Sequence, residues 1–329
     1  MEAGVLNPAA PAHEPASRAD RLLVGSMRFL AQAAYVFLFV AIAYSLVCLV
    51  ALAGQRHLIF EPQRILRAAP ADFKSPAIDV AVPAAGTRLG IHTPHGWWMP
   101  STAATGARTV LYLHGNDGNV STSADEVAPL RQLGYSVFLI DYSGYGPSDG
   151  GFPSEEGVYA DAEATWQYLV QQRGIDSRNL FIYGHSLGGA IAIELARHHP
   201  EAAGLIVESS FTSIDEMAMR DWQYHLMPVN LLLNQRFESV DKVGELALPV
   251  LYLHGTADEV VPFDMGEELY RKSGGAKRFV AIEGGKHDNN AAVGGAVFRS
   301  AIANFIEGNA ASVVAAGAAP GLADPAPIR

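Results

Sequence analysis

Residues Ala33 to Ala53 (AAYVFLFVAIAYSLVCLVALA) run for 21 positions without a charge. At 1.5 Å per residue such a helix spans roughly 31 Å, the thickness of a bilayer's hydrocarbon layer. The run predicts a retained transmembrane anchor over 29–54. Two readings compete. A buried core helix rarely runs so long without a polar face. A cleaved signal peptide would explain Ala51-Leu52-Ala53 before Gly54, but the run exceeds a signal h-region and more than 28 residues precede it.

Beyond the anchor the pattern changes. RTVLYLHG (108–115), YSVFLIDY (135–142), NLFIYG (179–184), GLIVES (204–209), PVLYLHG (249–255) and RFVAIEG (278–284) are short apolar runs, rich in β-branched or aromatic residues and closed by glycine or a polar residue. They predict buried strands. The stretches between them, Glu155 to Gln172, Leu187 to His199 and Met265 to Lys272, carry apolar residues at helical spacing. Strand and helix in alternation predict an α/β fold: a mostly parallel sheet with helices on both faces. Ile78 to Val82 and Arg88 to Met99 read as antiparallel edge strands, with Trp97 and Trp98 as packing residues. Asp215 to Val240 is longer than a crossover needs and rich in Met and aromatics, which predicts a small helical cap over 211–240. The expected organisation is an N-terminal tail (1–28), the anchor (29–54), one catalytic-size domain (55–308), and an Ala/Pro/Gly-rich tail (309–329).

Charge and cysteine content narrow the function. The chain has 23 Lys and Arg against 34 Asp and Glu, a net charge of −11, with no basic tract. That excludes nucleic acid as a partner, whose phosphates need clustered cations. Cys48 is the one cysteine and lies inside the apolar run, so no internal disulfide or cysteine-bound zinc is available. Three arginines precede the anchor (Arg18, Arg21, Arg28) and three follow it (Arg56, Arg64, Arg67), so the positive-inside count does not orient it. Because large domains translocate despite their charges, the lean is to a domain on the non-cytoplasmic side.

In a parallel sheet, ligands gather outside the carboxyl ends of the strands. The polar residues just after the strands are His114-Gly115-Asn116, Asp141, Ser186, Asp258 and His287. Gly184-His185-Ser186-Leu187-Gly188 is a G-x-S-x-G. Alone it is a weak signal in a chain with 32 glycines. Between the strand NLFIY and the helix AIAIELARH it has the context of a nucleophile elbow. A serine hydroxyl needs a base, and the base an orienting acid, in the chain order Ser, acid, His. Of the later histidines, His198 and His199 sit at a helix end, His225 lies in the cap, and His254 closes a strand. His287, in the loop Gly284-Gly285-Lys286-His287-Asp288, is the expected base. Asp258 is the expected acid, with Glu259, Asp264 and Asp288 as alternatives. The backbone N–H groups of Leu187 and Asn116 are the expected oxyanion donors. The Gly/Ser-rich stretch Tyr142 to Gly150 lacks a phosphate-loop lysine and reads as structural. His92 and His95 have no carboxylate near them in sequence, so no metal and no cofactor is expected.

Over roughly residues 75 to 308 the chain resembles the alpha/beta-hydrolase-fold serine hydrolases. Within them it is similar to the membrane-anchored alpha/beta-hydrolase-domain proteins, a group of bacterial hydrolases and eukaryotic protein depalmitoylases in the serine aminopeptidase-like clan. The carrying residues are Leu113-His114-Gly115-Asn116, the loop from Asp141 to Ser148, Pro153-Ser154-Glu155-Glu156-Gly157, Gly184 to Gly189, Glu208 to Ser213, and His254-Gly255-Thr256-Ala257-Asp258. The resemblance implies triad roles for Ser186, Asp258 and His287. It also implies hydrolysis of an acyl ester or thioester, a small-molecule or lipid-like substrate. A peptidase or amidase with the same triad, and a non-catalytic binding module on the same fold, are the alternatives.

Overall fold

The computed structural model describes residues 17–70, 77–83, 85–87, 90–101 and 108–317. Residues 1–16 and 318–329 of the two expected tails therefore lie outside the described residues. The chain divides into two units, Met1–Ala53 and Gly54–Arg329.

The first unit is dominated by helix α1, Arg18–Ile59, whose last turns belong to the second unit. It begins eleven residues before the predicted anchor and ends five after it. Neither flank holds a proline, and their Leu, Arg and Met (18–28) and Gln, Arg and Leu (55–59) favour helix. Among the described residues this is the one helix long and apolar enough to cross a membrane.

The second unit is built on an eight-stranded sheet. Its strands are β1 (Ile78–Ala81), β2 (His95–Met99), β3 (Thr109–Leu113), β4 (Ser136–Asp141), β5 (Leu180–His185), β6 (Gly204–Glu208), β7 (Val250–Gly255) and β8 (Lys277–Ile282). Their spatial order is β8-β7-β6-β5-β3-β4-β2-β1. β1, β2 and β4 pair antiparallel, and all other neighbours are parallel. Six predicted runs are the six parallel strands, each within one or two residues.

Side chains alternate across the pleat, so the inner strands feed two cores. Leu111, Leu113, Ile182 and Val207 face helices α2 (Glu155–Gln167), α3 (Leu187–His198) and α4 (Phe263–Lys272). Val110, Tyr112, Phe181 and Ile206 face the opposite layer, where Phe298, Ile302 and Ile306 of helix α5 (Asn290–Gly317) pack. Burial on both faces is why β3 to β7 read as continuous apolar runs rather than as alternating ones. β8, also expected to be buried, is the edge strand, with Ile282 alone fully buried, because no further strand covers its outer side. α5 breaks at Gly295 (φ 48°, ψ −113°) and extends into the stretch expected to be tail. The predicted helix from Glu155 to Gln172 ends in a π-helical turn over Tyr168–Gln172.

Trp97 is buried and donates from Nε1 to Asp79 Oδ1 (3.1 Å), while Trp98 lies under the Arg173 guanidinium (4.5 Å to the ring centroid). The carboxylate that His95 lacked in sequence is supplied in space. Asp79 Oδ1 sits 2.8 Å from His95 Nε2 across β1 and β2, within hydrogen-bond distance. The cap segment forms short helices, Ile214–Arg220, Trp222–Tyr224 and Val229–Leu232.

Candidate active site

The sheet order reverses between β5 and β3, where an open α/β sheet leaves a crevice. Ser186 leaves the end of β5 and Asn116 follows β3, so the two flank that point. Ser186 sits at φ 53°, ψ −121°, a strained turn for a non-glycine residue. Three hydrogen bonds hold the turn, and a fourth fixes the neighbouring strand end. Ser186 N–H donates to Glu208 O (2.9 Å), Ser210 Oγ and Gly189 N–H both donate to Ser186 O (2.8 and 2.9 Å), and Ser209 N–H ties the next strand end to Leu253 O (2.9 Å).

The glycines of the motif are steric requirements. A methyl at Gly184 would overlap the backbone of Gly188 and Gly189, and one at Gly188 would overlap the Leu113 and His114 carbonyl oxygens. Backbone on both sides cannot yield, so Gly188→Ala is expected to destabilise the protein by about 3 kcal/mol, the upper end for overpacking, read as a lowered urea midpoint. An unchanged midpoint would remove this account of the motif.

The predicted base and acid converge on the serine. His287 Nε2 lies 2.9 Å from Ser186 Oγ, and His287 Nδ1 lies 2.9 Å from Asp258 Oδ2. All three residues are buried. Asp258 Oδ1 accepts from the Val260 and Val261 N–H groups (both 2.9 Å), which fixes the carboxylate, and His254 Nε2 stands 3.4 Å from Oδ2. Burial works to raise the Asp258 pKa. The hydrogen bonds from His254 and His287 outweigh it and hold the carboxyl well below the ordinary range, so it is ionised at any working pH.

The alternatives lie elsewhere. Asp264 pairs with Arg220 (2.5 Å), Glu259 is exposed, and Asp288 is exposed beside His185. His198 pairs with Glu194, His199 with Glu163 and Glu201, and exposed His225 approaches Met219 O.

Leu187 opens α3, where the first N–H groups have no partner within the helix. Asn116 lines the same cavity as Ser186 and is clamped from three sides. Its carbonyl accepts from the Tyr145 hydroxyl (2.5 Å) and the Glu61 N–H (2.9 Å), and its side chain donates to Ile59 O (3.1 Å). Glu61 and Pro62 pair in parallel with Asp117 and Gly118, and Asn119 Nδ2 donates to Gln63 O and Ile65 O (both 3.0 Å). The segment just past α1 is thus a brace for this loop, a role with no local signal in the sequence. The Gly/Ser-rich stretch after β4 is structural, as read. Ser148 Oγ donates to Asp141 O (2.8 Å) and Gly146 N–H to Gln63 O (2.9 Å).

The cavity at Ser186 has a volume of about 340 Å³ and includes Glu61, Asp117, Glu126 and Asp288 among its walls, with Thr122, Ser123, His185 and Val260. Among the described residues no lysine or arginine lines it, and no residue of 211–240 does. The apolar walls expected from the cap are absent there, because the cap's Met217 and Phe237 pack against the core while others face outward. Glu126 accepts from Tyr112 OH (2.8 Å), and desolvation raises its pKa against the pull of His185 and His114. Burial alone would lower the His185 pKa, but the charges of Glu208 and Glu126 reverse the effect and raise it. His185, His287 and Asp288 bring three ligand-type atoms within 4.8 Å of one another. Both nitrogens of His287 are already engaged with Ser186 and Asp258, so a cation would have to break that chain of hydrogen bonds.

A serine on a strand-to-helix turn, at the switch point of a mostly parallel sheet, defines the architecture of an alpha/beta hydrolase. The family model described as serine aminopeptidase, S33, matches residues 105–239. An uncharacterized protein of Mycobacterium tuberculosis is 36% identical over 221 residues, 67% of this chain and 75% of that one. The alpha/beta hydrolase domain-containing protein WAV2 of Arabidopsis thaliana is 30% identical over 229 residues, 65% of this chain and 74% of that one. Among solved structures, the Pyrococcus furiosus esterase Pf2001 superposes with a TM-score of 0.61 at 19% identity, covering 76% of this chain and 97% of its own. An alpha-beta hydrolase from Vibrio vulnificus superposes with a TM-score of 0.59 at 22% identity, covering 91% and 98%. The chain belongs to the alpha/beta-hydrolase family.

Proposed function

We propose that this chain is a membrane-anchored serine hydrolase that cleaves acyl esters or thioesters through an acyl-enzyme. The observation that carries the reading is the unbroken relay Ser186 Oγ, His287, Asp258, with both links at 2.9 Å. His287 takes the serine proton as Ser186 attacks the acyl carbonyl, and Asp258 orients the ring and stabilises the imidazolium. The Leu187 and Asn116 amides receive the oxyanion of the tetrahedral intermediate. His287 returns the proton to the leaving group, and water then repeats the sequence on the acyl-enzyme. None of these steps calls for a cofactor. The uncharged run 33–53 anchors the chain in the bilayer.

A second reading is hydrolysis of an amide bearing a free amino group. Four carboxylates and no lysine or arginine among the described cavity walls favour a cationic substrate. The test is a panel of acyl esters and thioesters of varied chain length run beside aminoacyl amides. Faster turnover of the esters or thioesters supports the first reading. Turnover confined to aminoacyl amides transfers the assignment to the second.

The brace past α1 makes a truncation series informative. Removing residues 1–54 should leave an active domain, because the contacts of Ile59 to Ile65 survive. Removing residues 1–66 should cost most of the turnover even where the protein folds, because Asn116 loses its clamps at Ile59 and Glu61. Equal kcat/KM for the two truncations would show that the brace does not matter.

A further inference from the structure

Single exposed apolar side chains are ordinary on a protein surface, but four within thirteen residues are not. In the cap segment, Met219, Trp222, Leu226 and Leu231 are 45%, 78%, 85% and 81% exposed. None of them lines the cavity at Ser186. Among the segment's charges, Arg220 is paired with Asp264, and Asp221 accepts from the Gln223 N–H (3.0 Å).

What covers these side chains is indicated by where the segment is fastened. Buried Gln55 donates from Nε2 to Leu232 O (3.2 Å), and its Oε1 accepts from the N–H groups of Asn234 (2.7 Å) and Gln235 (3.3 Å). Gln55 stands two residues beyond Ala53, the last residue of the uncharged run, so about 7 Å of chain separates them at most. Leu231 precedes the residue that Gln55 grips. The exposed apolar positions therefore begin beside the point where the chain leaves the run proposed above as its membrane span.

We propose that Met219–Leu231 is a second membrane contact, with Trp222, Leu226 and Leu231 seated in the headgroup–acyl boundary of the bilayer that holds the anchor. The proposal rests on the reading of residues 33–53 as a transmembrane span. Trp and Leu are side chains suited to that layer, with Trp placing its ring among the headgroups. The chain is acidic overall (net −11), so the contact is apolar and does not require anionic lipid. Its consequence is to hold the hydrolase domain against the surface from which a lipid-like acyl substrate would come.

Trp222 makes the test direct. The other tryptophans are shielded: Trp97 and Trp166 are buried, and Trp98 is half-buried beneath Arg173. The anchor run contains none. Full-length protein is reconstituted into phosphatidylcholine vesicles with and without shallow bromine labels on the acyl chains. The Trp222 contribution is read as the difference between wild type and Trp222→Phe. The expected result is a blue-shifted Trp222 emission that loses intensity with brominated lipid and is unaffected by high salt, with the quenching reduced in Leu226→Asp/Leu231→Asp. Protein that resists carbonate extraction while its Trp222 emits as in water, unquenched, overturns the proposal and leaves the anchor standing. Release of the protein by carbonate overturns the anchor and the proposal together.

Discussion

Ser186→Ala is expected to lower ester turnover by about 10⁶-fold, the scale on which loss of a nucleophile acts in a serine enzyme, and to abolish labelling by a fluorophosphonate. The fold should not change. Alanine keeps the Cβ that the serine already carries at φ 53°, so it adds no strain, and the turn is held by backbone bonds to Glu208, Ser210 and Gly189 that the substitution leaves in place. The lost group is the hydroxyl facing His287. Parallel measurement of turnover, labelling and thermal unfolding separates chemistry from stability. Substantial turnover in a cleanly folded Ser186→Ala protein would refute the serine mechanism.

Asp258→Asn should cost about 10⁴ in kcat/KM, roughly 5 kcal/mol of transition-state stabilisation, by analogy with the corresponding change in serine proteases. The substituted side chain would still accept from the Val260 and Val261 N–H groups through its amide oxygen. Its amide nitrogen would then face His287 Nδ1 and demand an acceptor there. That choice places the imidazole proton on Nε2, pointing at Ser186 Oγ, where an acceptor is needed. Because Asp258 is held ionised, its own titration adds no break to the wild-type pH profile above about pH 4. Asp264→Asn should have a small effect, since Asp264 pairs with Arg220 away from the serine. Near-normal activity in Asp258→Asn, with the loss appearing at Asp264 or Asp288 instead, would reassign the acid.

Much of the fold was legible in the sequence for a physical reason. Strands buried on both faces leave no room for polar positions, so 108–115, 135–142, 179–184, 204–209 and 249–255 stand out as unbroken apolar runs ended by glycine or a polar residue, while the edge strand at 278–284 was legible from its β-branched and aromatic residues. The same geometry made Ser186, Asp258 and His287 readable. Each lies just past the carboxyl end of a strand, where a parallel sheet collects its functional groups, and Gly184 and Gly188 mark a turn where backbones meet. The apolar run 33–53 was legible from length alone.

Other features depended on contacts between residues far apart in the chain, which no local pattern encodes. Glu61 and Ile59 brace Asn116 across more than fifty residues, and Gln55 grips Leu232 across 177. The acidity of the cavity comes from Glu61, Asp117, Glu126 and Asp288, drawn from segments far apart in the chain, each an ordinary surface acid in sequence. The Met and aromatic content of 215–240 suggested apolar walls over the serine, but composition does not say which way a side chain faces. By itself, then, the sequence determined the sheet, the elbow and the membrane-length helix, because periodicity, glycine sterics and length act locally. The tertiary structure alone decided what lines the cavity, what holds the Asn116 loop and which cap side chains face outward, because those depend on distant segments meeting in space.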